Sequence, residues 1–283
     1  MPELPEVEIT RRGLLPLINQ SVSKVVIRNA SMLWPIPAHL TQTLQNQQLI
    51  GLTRRAKYIL AAFSDVNNVA NSGTLLLHLG MSGRITILDR NYPPEKNYHF
   101  DIAFNDIDGK EGCVLRLRDP RRFGAVLWAG ANPNQHKLLA PLGPEPLDDI
   151  FNARYLHEHL KSRSTAIKIA IMDSHLVVGV GNIYASESLF RARIHPEKPA
   201  KSLSIKQCEK LVAEIKDTLN AALNAGGSSL RDFFGVDGNI GYFQQEYFAY
   251  GRTDEPCKVC AKPIKCIRLG QRSTFFCTQC QKH

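Results

Sequence analysis

Cys257-Lys-Val-Cys260 and Cys277-Thr-Gln-Cys280 stand near the end of the chain, with sixteen residues between them. This spacing is typical of a zinc ribbon, in which two tight knuckles each offer two thiolates to one tetrahedral Zn²⁺. The alternative is a pair of disulfides, which rarely persist in the reducing compartment expected for a chain without an export signal. The sequence therefore predicts one structural zinc ion among short strands.

The chain is basic, most of all around these cysteines. Its 35 Lys and Arg against 26 Asp and Glu give a formal net charge of +9. Residues 250–283 carry +5 of that charge, from seven basic and two acidic residues. Such an excess favours a polyanionic partner, nucleic acid above all. A solvated basic face has the same composition, so charge alone leaves both interpretations open.

The overall composition is that of an ordinary globular protein, with 43% hydrophobic and 8% aromatic residues. No apolar run approaches the roughly 20 residues of a membrane span. The N-terminus carries acidic residues where a secretory signal carries basic ones. We therefore expect a cytoplasmic protein with no membrane partner.

The first half of the chain is rich in short β-favouring runs. After a predicted amphipathic helix over residues 6–18, these runs cover residues 25–28, 58–63, 74–79, 84–88, 100–104, 114–118 and 125–128. The polar stretches 64–73 and 89–96 are expected to be loops. Several short strands at this spacing are typical of a β-sandwich or barrel.

A linker and a helical region follow. Residues 131–149 are rich in Pro, Gly and Asn, and beyond them the hydrophobic period becomes helical. The clearest helix starts at Ser204, where Gln207 completes a capping-box pattern, and stops at Gly226-Gly227. Further helices are expected over residues 152–161, 166–173 and 183–192. The predicted domains are residues 1–130, the linker 131–149, a helical domain over 150–240 and a cysteine domain over 241–283.

The start of the chain offers a chemical group. Removal of the initiator Met before Pro2 would leave a secondary amine, and an α-amino group titrates near pH 8. A sizeable fraction would therefore be an uncharged nucleophile at neutral pH. Attack on a sugar carbon would give an iminium with a fixed positive charge, which is an electron sink that drives elimination. An ordinary Met-Pro terminus is the alternative.

Two internal turns offer contacts to nucleic acid. Gly179-Val-Gly181-Asn182 ends an apolar run and opens a helix, where backbone N–H groups and the helix dipole attract an anion. Arg118-Asp-Pro-Arg121-Arg-Phe123-Gly is a turn between strands that suits a wedge in a base stack. A charged hairpin with a core Phe is the alternative for this second turn.

Taken together, these features resemble the formamidopyrimidine-DNA glycosylase family of bacterial enzymes that repair 8-oxoguanine. The resemblance runs from the first residue to the last, through Pro2–Glu8, Lys57, Leu79-Gly-Met-Ser-Gly83, Asp119–Gly124, Gly179–Tyr184 and the four cysteines. It implies an α+β multidomain fold. The parts are an N-terminal β-sandwich with an N-terminal helix, a helical helix–two-turn–helix domain and a C-terminal zinc-ribbon β-hairpin.

The resemblance also implies base-excision repair by a bifunctional glycosylase and abasic-site lyase. Pro2 would attack C1′ of an oxidised purine nucleoside, either 8-oxoguanine or a formamidopyrimidine, and Glu3 would protonate the opening sugar ring. β- and δ-elimination would then expel both flanking phosphates. Glu6 is implied to support the pocket, and Lys57 to contact the phosphates around the lesion.

The implied partner is double-stranded DNA with an oxidised purine, preferably opposite cytosine, bound by a monomer in the bacterial cytoplasm. Met81, Arg121 and Phe123 resemble a triad that fills the void behind the flipped nucleotide, with the guanidinium on the widowed cytosine. The remaining DNA contacts implied by the resemblance are His99, Lys168, Asn182 and Arg272.

Two rivals stay open at this point. Endonuclease VIII-like glycosylases share the proline, the glutamate and the zinc finger but prefer oxidised pyrimidines, and Leu4-Pro-Glu-Val-Glu8 with the Arg121 and Phe123 pair favours the purine enzyme. A lesion binder without catalysis is the second rival, which a blocked terminus would favour. The chain departs from the family pattern in the long segment 64–73, at Asp254 and in the extra thiol of Cys266.

Overall fold

The computed structural model describes residues 2–65, 68–105, 112–226 and 247–282, with the backbone alone for residues 68–72. It divides into two compact units, one ending at Ala140 and one formed by Pro141–Ala225 together with residues 247–282. The expected boundary between domains 150–240 and 241–283 lies outside the described residues, as does Gly227 of the expected helix end. No helix in the described part is long and apolar enough to cross a membrane.

The first unit contains two four-stranded antiparallel sheets. Its elements in chain order are α1 (Leu4–Gly13), β1 (Val22–Ile27), α2 (Leu40–Thr43), β2 (Gln47–Arg55), β3 (Tyr58–Asp65), β4 (Asn68–His78), β5 (Arg84–Asp89), β6 (Tyr98–Phe104), β7 (Cys113–Arg118) and β8 (Ala125–Trp128). One sheet has the order β2-β3-β4-β8 and the other β1-β6-β7-β5. Apolar side chains from both sheets share one core, so the predicted sandwich is confirmed.

Strict alternation builds that core. In β6, Phe100, Ile102 and Phe104 are buried in it, while Asp101 lies between them on the opposite face. Aromatic and β-branched side chains at every second position suit a strand that buries one face. In β7 and β3, too, every second residue enters this core, although β3 is a continuous apolar run over residues 59–63.

Three details of this unit differ from the sequence-based expectation. The helix expected over residues 6–18 ends at Gly13 and continues as a 3₁₀ turn over Leu15–Leu17, because Pro16 has no N–H to donate to the preceding turn. Strand β2 was not anticipated. Residues 64–73 were expected to form a loop, yet β3 extends to Asp65 and β4 begins at Asn68, with Asp65 and Asn68 paired.

The second unit contains helices and a β-hairpin. Its elements are α3 (Ala153–Leu160), α4 (Ile167–Ile171), α5 (Asn182–Ala192), α6 (Ile205–Asn224), β9 (Lys265–Leu269) and β10 (Arg272–Phe276). The capping box of α6 is confirmed, since Ser204 Oγ accepts from Gln207 N–H at 3.3 Å and Ser204 N–H donates to Gln207 Oε1 at 3.1 Å. Gly270 and Gln271 both have positive φ, which suits the two-residue turn between β9 and β10.

The hairpin and the helices of this unit form one packed body. Glu187 of α5 is buried, and its carboxylate accepts from the backbone N–H groups of Phe248, Ala249 and Tyr250 at 2.8 to 2.9 Å. Gln281 Nε2 donates to the carbonyl of Ile194, just beyond the end of α5. These hydrogen bonds fix the cysteine-bearing segment against the helices.

Candidate functional site

Two loops leave the same end of the sandwich side by side. Residues 79–83 connect β4 to β5, and residues 119–124 connect β7 to β8. β4 pairs with β8 in one sheet, and β5 pairs with β7 in the other. Each loop therefore crosses from one sheet to the other, and the two crossings lie next to each other. This topology brings Met81 to the same place as Arg121 and Phe123, although about 40 residues separate them in the sequence.

Met81, Arg121 and Phe123, hereafter the wedge, present a cation and a ring to solvent. The guanidinium carbon of Arg121 lies 4.9 Å from the centroid of the Phe123 ring, a cation–π distance. The Phe123 side chain is 40% exposed, so the ring belongs to the surface and not to the core. Arg122, between them, adopts a left-handed backbone with φ of 57°, which turns the chain sharply at the exposed tip.

His99 lies beneath this turn. It is only 5% exposed, and its Nε2 is 2.8 Å from the carbonyl oxygen of Asp119. A ring held in this way supports the loop from below. The direct DNA contact that the resemblance implies for His99 stays a prediction.

The N-terminal helix begins with a buried carboxylate pair. Glu3 and Glu6 are 1% and 0% exposed, and Glu6 Oε2 accepts from the backbone N–H of Glu3 at 2.8 Å. This bond satisfies one of the free N–H groups at the helix start and fixes the residue that follows Pro2. Arg11 on the same helix donates to the carbonyl of Leu52 in β2 at 3.1 Å, so α1 is anchored on the sheet. Met1 lies outside the described residues.

Lys57 has a neighbour that sequence reasoning missed. Lys57 lies in the two-residue turn between β2 and β3, and His78 pairs with Tyr58 at the same end of the sheet. Burial, with the positive charge of Lys57, lowers the pKa of His78 to about 4. The imidazole is therefore neutral at pH 7, and Nδ1 accepts from Gly80 N–H at 3.2 Å, which leaves the proton on Nε2.

This pair offers an ammonium and a neutral N–H donor at one edge, a combination suited to an anion. The signal for His78 in the sequence was its position directly before the Leu79–Gly83 motif.

In the second unit, Lys168 and Asn182 are joined. Lys168 Nζ is fully buried and donates to Asn182 Oδ1 at 2.7 Å, to Thr274 Oγ1 at 2.8 Å and to the carbonyl of Ser273 at 3.1 Å. Asn182 Nδ2 donates to the same carbonyl at 3.0 Å. The lysine thus links α4, the start of α5 and strand β10, which begins at the exposed Arg272.

Cys257, Cys260, Cys277 and Cys280 fit a tetrahedral zinc ion. Their four sulfur atoms lie within 4.8 Å of one another, with Sγ–Sγ distances of 3.9 Å for Cys257 with Cys280 and 3.4 Å for Cys260 with Cys277. Zn–S bonds of about 2.3 Å in a tetrahedron require sulfur atoms about 3.8 Å apart. Four thiolates complete the coordination, so the ion is structural. Cys266, by contrast, is exposed on β9.

Three family models match the chain in the order of its parts. The formamidopyrimidine-DNA glycosylase N-terminal domain matches residues 1–126, the formamidopyrimidine-DNA glycosylase H2TH domain residues 142–234, and a zinc finger found in FPG and IleRS residues 254–282. The chain belongs to the formamidopyrimidine-DNA glycosylase family. The resemblance, the fold class and the single structural zinc ion are thereby confirmed.

Individual relatives agree along their full length. A formamidopyrimidine-DNA glycosylase of Methylobacillus flagellatus is 61% identical over 282 residues, which cover 100% of this chain and 97% of the relative. The structure of wild-type Lactococcus lactis Fpg (MutM) with DNA containing N7-benzyl-Fapy-dG is 32% identical, covers 100% of both chains and has a TM-score of 0.88.

Two other complexes of the Lactococcus lactis protein, each 31% identical with full coverage of both chains, contain different DNA. One holds DNA with an abasic site (TM-score 0.89), and the other holds DNA with an oxidized pyrimidine (TM-score 0.88). This chain is therefore a DNA-binding glycosylase of base-excision repair with a zinc finger.

Proposed function

We propose that this glycosylase excises oxidised purines, 8-oxoguanine and formamidopyrimidines, by attack of the Pro2 amine and then cleaves the abasic strand as a lyase. The observation that carries the proposal is the capped, buried start of α1. Glu6 Oε2 accepts from the Glu3 N–H at 2.8 Å, and Glu3 is buried directly after Pro2, whose nitrogen becomes the terminal amine once Met1 is removed. A secondary amine and an acid–base group at adjacent positions suit reaction at a single sugar carbon.

The proposed chemistry has three steps. The Pro2 nitrogen bonds to C1′ and loses its proton, and the glycosidic bond breaks with its electron pair leaving on the base, which takes up a proton in exchange. Glu3 donates a proton to O4′ as the C1′–O4′ bond opens, which leaves an iminium between C1′ and the proline nitrogen. Loss of the C2′ proton expels the 3′ phosphate, and a second elimination expels the 5′ phosphate.

The wedge serves extrusion of the damaged nucleotide. A thioether and a ring can fill the gap in the base stack, while the Arg121 guanidinium donates to the acceptors that a widowed cytosine presents. Phosphate contacts are assigned to Lys57 in the first unit and to Asn182 and Arg272 in the second. Lys168 supports Asn182 through the hydrogen bonds described above. The enzyme acts as a monomer in the bacterial cytoplasm, on duplexes with cytosine opposite the lesion.

Oxidised pyrimidines are the alternative substrate. The Lactococcus lactis relative has been captured with such a DNA, so binding does not separate the two classes. Single-turnover excision of 8-oxoguanine and of thymine glycol from otherwise identical duplexes does. We expect 8-oxoguanine to be removed faster, and faster removal of thymine glycol would assign the chain to the pyrimidine-preferring class.

Borohydride trapping tests the nucleophile. We expect a covalent adduct between the wild-type protein and a duplex with 8-oxoguanine opposite cytosine. Pro2→Gly supplies a primary amine whose imine can lose its charge, so the adduct should fall at least about tenfold. Insertion of Gly before Pro2 converts the nitrogen into a peptide amide and should abolish the adduct. Lys24→Met, at an exposed position of β1, is the control and should leave the adduct yield unchanged. An unchanged yield after insertion of Gly before Pro2 would exclude the Pro2 nitrogen as the nucleophile.

A further inference from the structure

We infer that Asp119 is a positioning residue that holds the two wedge loops as one rigid body, and that this rigidity sets the rate at which a lesion is extruded from a paired duplex. The inference deepens the proposed function and rests on it, because the wedge is the element that Asp119 positions. Asp119 itself touches neither the sugar nor the base in this account.

The Asp119 carboxylate spans both loops. The residue is fully buried. Its Oδ1 accepts from Ser82 Oγ at 2.6 Å, on the loop that carries Met81, and its Oδ2 accepts from Gly124 N–H at 2.8 Å, directly after Phe123. Each oxygen therefore fixes the neighbour of a wedge residue.

Ser82 extends this bridge to the third wedge residue. Its hydroxyl donates to Asp119 and accepts from Arg121 N–H at 3.1 Å. Both partners of this hydroxyl lie on the 119–124 loop, so Ser82 ties its own loop to that loop by two hydrogen bonds. Loss of the carboxylate would leave the hydroxyl without its acceptor, and loss of the hydroxyl would leave an unpaired N–H beside the tip.

The Asp119 backbone is fixed as well. Its N–H donates to the carbonyl of Asn97 at 3.0 Å, and its carbonyl accepts from Arg122 N–H at 3.1 Å and contacts His99 Nε2 at 2.8 Å. The residue is therefore anchored to the sheet through residues 97–99. Because its backbone is held in place, Asp119 cannot shift to compensate when its side-chain hydrogen bonds change.

The two loops are also in direct backbone contact. A methyl group built on Gly80 would lie 2.4 Å from the carbonyl carbon of Phe123, and one built on Gly124 would lie 2.6 Å from the carbonyl oxygen of His78. Glycine at both places permits an approach that any other residue would prevent. Because the backbones of the two loops are in contact, the Asp119 carboxylate fixes the relative position of loops that leave no space between them.

The consequence is specific to a paired lesion. A wedge held in one geometry inserts without first being ordered, whereas a loosened wedge must be ordered at every encounter. This advantage matters only where a partner base is left unpaired. A lesion opposite an abasic analogue leaves no such base, so the geometry of the wedge should matter little there.

The test compares single-turnover excision of 8-oxoguanine opposite cytosine with excision opposite a tetrahydrofuran abasic analogue. Asp119→Asn and Ser82→Ala should slow the first reaction by about tenfold or more and leave the second within about twofold of wild type. Ser82→Thr keeps the hydroxyl and should recover most of the rate. 2-Aminopurine beside the lesion should report slower unstacking in the same variants.

Asp101→Asn is the matched control. Asp101 is a carboxylate in the same unit, 3% exposed and paired with Arg116. Its loss should lower the melting temperature without changing the ratio of the two rates. Equal slowing of Asp119→Asn and Ser82→Ala on both substrates, or wild-type rates on both, would overturn the inference. Failure of the proposed function looks different, because the wild-type protein itself would then give no borohydride adduct on Pro2 while the 2-aminopurine signal remained readable.

Discussion

In this protein, individual buried polar side chains hold neighbouring surface residues in position. Lys168 has no exposed surface and three acceptors within 3.1 Å, and Asp119 likewise acts through Ser82 and Gly124. A buried charge is retained only where its hydrogen bonds are satisfied inside the protein. We expect such residues to influence DNA binding through the geometry of their neighbours.

Lys168→Met tests this role at the residue scale. The change removes three buried hydrogen bonds, so the free energy of unfolding should fall by about 2 kcal/mol or more. DNA affinity should fall as Asn182 and strand β10 lose their alignment, but the slope of log affinity against log salt should stay at the wild-type value. Arg272→Ala, at an exposed position, should reduce that slope by about 1. A slope reduced by about 1 in Lys168→Met would show a direct phosphate contact.

His78 predicts a pH dependence. Its pKa of about 4 in the folded state lies below the usual value near 6.5, so the unfolded chain takes up a proton first as the pH falls. Stability contributed by His78 is present above pH 6.5 and is lost between pH 6.5 and pH 4. Chemical denaturation across that range should show a smaller loss for His78→Gln than for wild type. Parallel curves would contradict the assigned pKa.

The sequence identified the wedge and the cysteines but not the groups that place them. Met81 and Phe123 stand in recognisable motifs, whereas the partnership of Ser82 with Asp119 depends on two crossovers between sheets. Only the strand order reveals that residues about 40 positions apart share one end of the sandwich. His78 was missed for the same reason, since its pairing with Tyr58 depends on how strands β3 and β4 pair.

At the scale of elements, the predictions succeeded where periodicity was clean. Helix α6 was visible from its capping box and apolar stripe, and both are present. Strand β2 was missed because a bulge between Leu49 and Gly51 breaks its alternation. Residues 64–73 looked like a loop because they are polar, yet a hairpin is paired through backbone groups whatever its side chains.

The zinc hairpin yields a prediction at this scale. Cys260→Ser removes one thiolate, so the protein should contain less than one zinc per chain, and the hairpin that carries Arg272 should lose its geometry. DNA affinity should fall at least about tenfold, because Arg272 is then no longer positioned. Cys266→Ser is the control, since this exposed thiol lies outside the cluster, and it should retain one zinc and wild-type affinity. Full zinc content in Cys260→Ser would contradict the ligand set.

For the molecule as a whole, the net charge of +9 indicated a polyanionic partner without identifying it. The choice between a solvated basic face and a DNA-binding one came from the match of three domains in order. Composition can indicate attraction to phosphate. Discrimination of a lesion, however, depends on a few residues that are held at defined positions. The wedge and Pro2 lie in the first unit, and the zinc hairpin lies in the second.

The attachment point of trapped DNA tests the central claim most directly. Wild-type protein trapped by borohydride on a duplex with 8-oxoguanine should be digested with a protease, and the DNA-bearing peptide sequenced by mass spectrometry. The account predicts that the adduct lies on the peptide that begins at Pro2, with Met1 absent. An adduct on Lys57, or full-rate cleavage by protein that retains Met1, would contradict it.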